Sequence, residues 1–413
     1  MMELSLFIIL FCIFLNFAIL RDYAYPPFIF SIIWFLTLFA YYILSNMNSM
    51  DTFYLSNKTL IFFTAGVLSF TIGGIINYFN SHIHRKIIEK EISINIKEIK
   101  INPILDNIFF ILPLLFLPLF IHKAMIISSQ SGIDNFFIGL RSQLIYGEED
   151  YGTLKYIVPL SLFNVLFRGI ILQKITNKKR GDKLKYYISV MSALVYVIFS
   201  TGRTFILLLL TFLIGPKIII GRLQLKHLVY FSLSFLLFFF LFAMTLNKGG
   251  SWNIPLVDNI TNVSTVFSQY LTGPLIAFNL FLENQSDLHY GQYLFRFVYA
   301  VLYKTGLIGT SPVDLIQPFV SVPYRINVYT VYYFYAKDFG VIASLLFIFF
   351  FGFWHSFFYF KVKVKTSMQN LSLYVYILLL YPLFMSFFQD QYFPLTSMWI
   401  QFILFYVFLR MSR

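Results

Sequence analysis

The residues with the clearest chemical potential are four arginines, Arg141, Arg203, Arg296 and Arg325, and three proton acceptors, His289, Asp338 and Asp390. Arginine offers a planar fork of donors that takes phosphate oxygens two at a time. Histidine can take a proton from a sugar hydroxyl near neutral pH, and a carboxylate can do the same work. Most have a plainer reading. Arg203 can be an interfacial arginine snorkelling to headgroups. Arg325 can be a solvated loop charge, Arg141 a surface residue and His289 an exposed histidine. Asp338 can cap a helix, and Asp390 is an acid in the short turn QDQYFP at 389–394.

The chain that must position them has 413 residues, 59% hydrophobic and 12% charged, with a mean hydropathy of +0.75. That composition excludes an ordinary soluble domain. Apolar runs long enough to cross a bilayer recur from end to end. The expectation is an all-α polytopic integral membrane protein, 1–413 forming a single membrane domain. About eleven spans are expected, near 3–20, 26–45, 59–78, 107–122, 154–172, 186–200, 204–220, 228–246, 339–358, 371–389 and 394–410. The run Leu4 to Leu20 lacks a basic n-region and a small-residue cleavage site, so it reads as a retained helix. The single cysteine, Cys12, excludes an intrachain disulfide and a cysteine-based zinc site. His82 and His84 share a polar basic loop that does not look like a metal site. The surplus of Phe, Ile, Lys and Asn suggests an AT-rich bacterial genome.

The net charge of +13 invites a nucleic-acid reading, but the lysines sit in short loops between apolar runs. Orientation explains them better. The stretches 79–106, 173–185, 221–227 and 361–365 are basic and fall on one side of the spans. With Arg21, Arg410 and Arg413 they place nineteen of thirty-one basic residues on the cytoplasmic side. The N-terminus is then outside and the C-terminus inside. The outer side holds 123–153, with Arg141, a tight turn at Thr201-Gly202-Arg203 that Gly202 permits, and a long stretch, 247–338. Arg203 therefore lies at the outer mouth.

A connection as long as 247–338 among short loops is a functional suspect. Ile260, Val263, Phe267, Tyr270 and Leu271 fall at helical spacing, which predicts an amphipathic helix lying on the bilayer. FRFVYAVLY at 295–303 predicts a second. The expected result is a helical lid on the outer face, closing over a cavity between spans. It suits a substrate that is half lipid and half water-soluble, with rim arginines for phosphate and tyrosines for sugar rings. Tyr329, Tyr332, Tyr333 and Tyr335 read first as an interfacial aromatic belt.

Three elements, STGRTFILLL at 200–209, YLTGPLIAFN at 270–279 and YRINVYTVYYFYAKDFG at 324–340, resemble in order and placement the Wzy-type bacterial oligosaccharide repeat-unit polymerases of O-antigen and capsule. The resemblance implies a GT-C-like membrane glycosyltransferase of the bacterial inner membrane, multi-pass, with its active site on the extracytoplasmic side. The donor would be a growing glycan on undecaprenyl diphosphate and the acceptor one repeat unit on the same lipid. The acceptor's non-reducing-end hydroxyl attacks the donor's anomeric carbon and the lipid diphosphate leaves. Arg203 and Arg325, then Arg141 and Arg296, would bind the diphosphate. His289, Asp338 and Asp390 are the candidates for the base. No cofactor, metal or nucleic acid is expected. The partners are the bilayer, the lipid-linked glycans and a polysaccharide co-polymerase that sets chain length.

The same architecture admits an O-antigen ligase. A lipid-linked oligosaccharide flippase or other transporter is the rival from another class. Near-absence of mid-span charge and one very long outer loop favour an enzyme. KDFG at 337–340 lacks the other kinase elements, no phosphate-binding Gly-x4-Gly-Lys loop is present, and no Asp-x-Asp cluster occurs. Glu283 and Asp287 stand four apart, which alone says nothing about glycoside chemistry.

Overall fold

The computed structural model describes residues 1–46, 54–85, 101–147, 149–174, 180–219, 225–284, 287–314, 316–321, 325–363 and 369–410, with backbone alone at 81–85, 174, 203, 225–229 and 231. The helices in order are α1 (Met2–Leu20), α2 (Pro26–Asn46), α3 (Asn57–Arg85), α4 (Pro103–Ser129), α5 (Phe136–Tyr146), α6 (Ile157–Lys174), α7 (Arg180–Phe199), α8 (Arg203–Ile219) and α9 (Leu225–Thr245). They continue with α10 (Leu256–Asn284), α11 (Arg296–Lys304), α12 (Tyr333–Phe339), α13 (Val341–Lys363), α14 (Gln369–Phe384) and α15 (Thr396–Arg410). One antiparallel ribbon, β1 (Val320–Ser321) and β2 (Arg325–Ile326), precedes α12.

Among the described residues, seven helices are long and apolar enough to cross a membrane: Met2–Leu20, Pro26–Asn46, Asn57–Asn80, Pro103–Ser129, Gly152–Gln173, Leu256–Asn284 and Val341–Lys363. Four shorter apolar helices, Thr204–Ile219, Ser232–Thr245, Gln369–Phe384 and Thr396–Arg410, accompany them. The protein is an all-α membrane protein. Two details differ from the sequence expectation. The span expected at 186–200 belongs to α7, whose first turns carry Arg180, Asp182, Lys183 and Lys185. The helix expected to lie on the bilayer, α10, is itself long and apolar enough to span. Its Ile260 is exposed, but Thr272 to Asn279 are buried on every side, the pattern of a core helix rather than a surface one.

The chain divides into two compact units. The first comprises Met1–Asn95 and Phe267–Ser397; the second comprises Ile96–Val266 and Met398–Arg413. The first unit is organised by the crossing of α3 and α13. A Cβ on Gly73 would overlap the Phe349 carbonyl, and one on Gly352 would overlap the Phe70 carbonyl. Glycines at both faces let the backbones touch, as small residues do where apolar helices pack in lipid. Above this crossing Gly66 leaves room for the Tyr332 ring, which packs against Trp34, Phe62, Phe63 and Phe278. At that end α10 is tied to the start of α3. Asn279 Oδ1 accepts from Ser56 N at 2.9 Å and Thr59 Oγ1 at 2.6 Å, and Lys58 donates to the Leu282 carbonyl at 3.1 Å. At the opposite end Asp22 pairs with Lys363 at 2.8 Å and accepts from Tyr359 at 2.6 Å.

In the second unit Asn102 caps α4, its Oδ1 accepting from Ile104 N at 3.0 Å and Leu105 N at 3.3 Å, with Pro103 at the first helical position. Pro113 lies inside α4 and has no N–H for the Phe109 carbonyl. Asn164 of α6 donates to that carbonyl instead, at 2.6 Å, which is how a bilayer helix tolerates proline. Nearby, Asp106 pairs with Arg168 at 3.0 Å and Lys185 at 3.6 Å. The start of α4, the end of α6 and the start of α7 thus share one end.

The α3–α13 crossing yields a direct test. Gly352→Ala should destabilise by roughly 1–3 kcal/mol or more, because backbone must move to admit a methyl group. Gly181→Ala, with open space around it, should be neutral or stabilising by up to about 1 kcal/mol. Thermal unfolding of detergent-solubilised protein checks both.

Candidate active site

The chemistry-bearing residues of the first unit gather around α12 and the turn before α11. Tyr290 (φ 48°) and Gly291 (φ 91°) adopt consecutive left-handed conformations, a reversal that glycine makes accessible. The turn docks along α12 through its backbone. His289 N donates to the Lys337 carbonyl at 3.2 Å and Tyr290 N to the Asp338 carbonyl at 3.0 Å. The Asp338 carboxylate completes the clamp, accepting from Leu294 N at 2.7 Å and Tyr293 N at 3.3 Å. Burial pushes this carboxyl above the usual aspartate range, although the two N–H donors and nearby His289 oppose the shift. Asp338 is therefore the residue that shapes the turn. Both its oxygens are occupied, and it is fully buried.

Lys337, passed over in the sequence beside Asp338, is the cation this docking exposes. Its Nζ donates to Tyr333 Oη at 3.0 Å and sits 3.9 Å above the centre of the Tyr293 ring. Burial lowers its pKa, while the neighbouring Asp338 charge opposes that. The His289 ring packs edge-on to the same Tyr293 ring, centroids 5.1 Å apart. Arg296, the first residue of α11, donates from Nε to the Val313 carbonyl at 2.6 Å and interacts with Asp314. His289, Tyr293, Lys337 and Asp338 form one cluster.

Arg325 lies on the ribbon, exposed, its guanidinium 4.2 Å over the Phe319 ring. From there Tyr329 stacks on Tyr333 with centroids 4.0 Å apart and donates to the Pro318 carbonyl at 3.0 Å. Tyr329, Tyr332, Tyr333 and Tyr335 are between 0% and 4% exposed. They are core and cluster residues, and the aromatic belt expected of them is not what they form.

Asp390 is also buried, at 0% exposure. Oδ1 accepts from Tyr392 N at 2.9 Å. Oδ2 has no hydrogen-bond partner, although the Tyr335 phenol adjoins it. Burial, against opposing hydrogen bonds, pushes this carboxyl up to about 7. Buried on this scale, Asp390 does not offer an oxygen to a solvent-borne substrate.

The second unit holds Arg141 and Arg203. Arg141 of α5 donates from Nη1 to the Thr201 carbonyl at 2.6 Å. Tyr151 donates to the Phe199 carbonyl at 2.5 Å, so two side chains grip the turn from both sides. The left-handed residue there is Thr201 (φ 52°), not Gly202. A β-branched residue in that region is strained, and Arg141 holds it. Arg203 opens α8; its side chain is outside the described residues.

No family model, curated protein or solved structure matches the chain. Among the described residues no group of three His, Cys, Asp or Glu side chains is arranged to hold a metal ion.

Two outcomes follow. Asp338→Ala strips two backbone N–H groups of their acceptor and should cost roughly 2–4 kcal/mol, whereas Asp338→Asn should cost less because an acceptor oxygen remains. Chemical denaturation measures the difference. For Asp390, the native value lies above the unfolded one, so the folded protein keeps a proton that the unfolded chain releases. That stability is complete below 3.8 and is lost as pH rises to about 7. Asp390→Asn should abolish the decline and, at pH 8, be more stable than wild type by roughly 4 kcal/mol.

Proposed function

We propose that the protein is a glycosyltransferase that polymerises undecaprenyl-diphosphate-linked oligosaccharide repeat units at the outer face of the bacterial inner membrane. The observation that carries this reading is the alternation of cations and aromatic rings in the first unit. Lys337 lies over Tyr293, with His289 edge-on to the same ring, Arg325 lies over Phe319, and Tyr329 stacks on Tyr333. Fixed cations held over aromatic rings suit a diphosphate. The sequence resemblance supplies the substrate class and the membrane side.

In this reading His289 takes the proton of the acceptor's hydroxyl. The oxygen attacks the donor's anomeric carbon, and the bond from that carbon to the diphosphate oxygen breaks with its electron pair. Arg325, Arg296 and Lys337 stabilise the charge that develops on the leaving group. Asp338 acts through the turn it clamps. In the second unit, Arg141 holds the turn from which α8 and Arg203 start, and Arg203 remains a diphosphate-binding candidate on sequence grounds.

The test uses purified protein in lipid with its native lipid-linked repeat unit and no other enzyme. The readout is a gel of lipid-linked glycans. Wild type should give a ladder. Arg325→Ala, Lys337→Ala and Arg203→Ala should collapse it towards single units, and His289→Ala should slow it by about 10²–10⁴-fold. EDTA should leave the ladder intact. Transfer only after lipid A core is added would make the protein a ligase; no transfer at all would remove the enzyme reading.

A further inference from the structure

A line of polar side chains runs through the apolar interior of the first unit, unused by the reaction above. It begins at the turn after α14, with Asp390. The Tyr335 phenol of α12 adjoins that carboxyl, and the Tyr392 hydroxyl lies 2.7 Å from Nε2 of His355, inside α13. Along α13 the next polar residues on the buried side are Ser356 and Tyr359. Ser356 Oγ and the Tyr25 hydroxyl lie together beside Gly74, and the Tyr25 and Tyr359 rings are 5.6 Å apart. Tyr359 donates to Asp22 Oδ2 at 2.6 Å, and Asp22 meets Lys363 at the far end.

Asp390, Tyr335, His355, Ser356 and Tyr359 are all at most 2% exposed. An apolar helix core excludes such groups unless they are satisfied, and ionisable side chains within spans mark ion or proton pathways. Here the Asp390 carboxyl meets the Tyr335 phenol, Ser356 Oγ meets the Tyr25 hydroxyl, and His355 Nδ1 between the two pairs has no hydrogen-bond partner, which leaves a polar gap. Polar gaps of this kind are where internal water binds, each molecule linking two or more such atoms.

We propose that Asp390, Tyr392, His355, Ser356, Tyr25, Tyr359 and Asp22, bridged by bound water, form a proton-conducting file along α13. The Tyr392 phenol gives its proton to Nε2 of His355 and recovers one from the Asp390 carboxyl through a bridging water, the direct contact of the two residues being Tyr392 N to Asp390 Oδ1. His355 releases the proton on Nδ1 to the water that joins it to Ser356. Each hop breaks one O–H or N–H bond and makes another, so one proton enters at Asp390 and one leaves at Asp22, with no electron transferred. Asp390 faces Tyr335 and the Tyr392 N–H; His355 faces the Tyr392 hydroxyl and the Phe70 ring of α3; Tyr25 faces Ser356 and Tyr78; Asp22 faces Lys363, Tyr359 and Tyr376. An acid and an imidazole with weakly acidic phenols between them can pass a proton in either direction. The file stands apart from the glycosyl-transfer reading, since it needs no sugar substrate.

The experiment reconstitutes the full-length protein into vesicles enclosing a pH-sensitive dye, with a potassium gradient and valinomycin imposing a membrane potential. Wild type should move protons faster than protein-free vesicles. Tyr392→Phe, which removes one hydroxyl, and Asp390→Asn should fall to the protein-free rate. Infrared difference spectra of wild type across neutral pH should show a protonated carboxyl band that Asp390→Asn lacks. Wild-type flux equal to that of empty vesicles would overturn the proposal without reference to any variant. Undiminished flux in both variants would overturn it as well.

Discussion

The first unit depends on backbone touching backbone where α3 crosses α13. Gly73 and Gly352 sit where any side chain would overlap a carbonyl of the facing helix. In lipid there is little hydrophobic drive between helices, so close van der Waals contact must hold them. Once the two axes are this close, everything attached to them is placed. Tyr332 fits over Gly66, α10 docks through Asn279, and α12 is set at the head of α13.

The cluster at α12 is built by two different uses of charge. Asp338 is consumed by structure: its carboxylate ties down the N–H groups of Tyr293 and Leu294. That tie brings the Tyr293 ring beneath Lys337 and beside His289. Lys337 is retained as an ammonium between aromatic faces, where cation–π attraction compensates part of the lost hydration. A buried acid therefore organises the turn, and His289 and Lys337 stay half-buried beside it. Asp390 carries the same lesson further, since complete burial turns an apparent surface acid into an interior one.

The second unit solves another problem, the free backbone groups of kinked or abruptly ended helices. Asn164 replaces the hydrogen bond that Pro113 removes from α4. Arg141 and Tyr151 take the carbonyls at the end of α7, where Thr201 is held in a left-handed conformation. Water cannot satisfy such groups in a bilayer, so long polar side chains from neighbouring helices do.

Most helices were readable in the sequence because a bilayer demands long apolar runs, and runs are local. The convergence of Asp106, Arg168 and Lys185 was not readable, because it joins three helices far apart in the chain. The tight turn at 201–203 was readable, but its left-handed residue was not, since the Arg141 hydrogen bond that meets Thr201 comes from sixty residues away. The pairing of Lys337 with Tyr293 depends on a left-handed reversal at Tyr290 and Gly291 that folds the turn back onto α12. No spacing in the chain encodes that contact. The spacing of Ile260, Val263, Phe267, Tyr270 and Leu271 predicted an amphipathic helix, but only packing could decide that Thr272 to Asn279 are core. Periodicity reports which residues share a face; burial depends on what the rest of the chain brings against it.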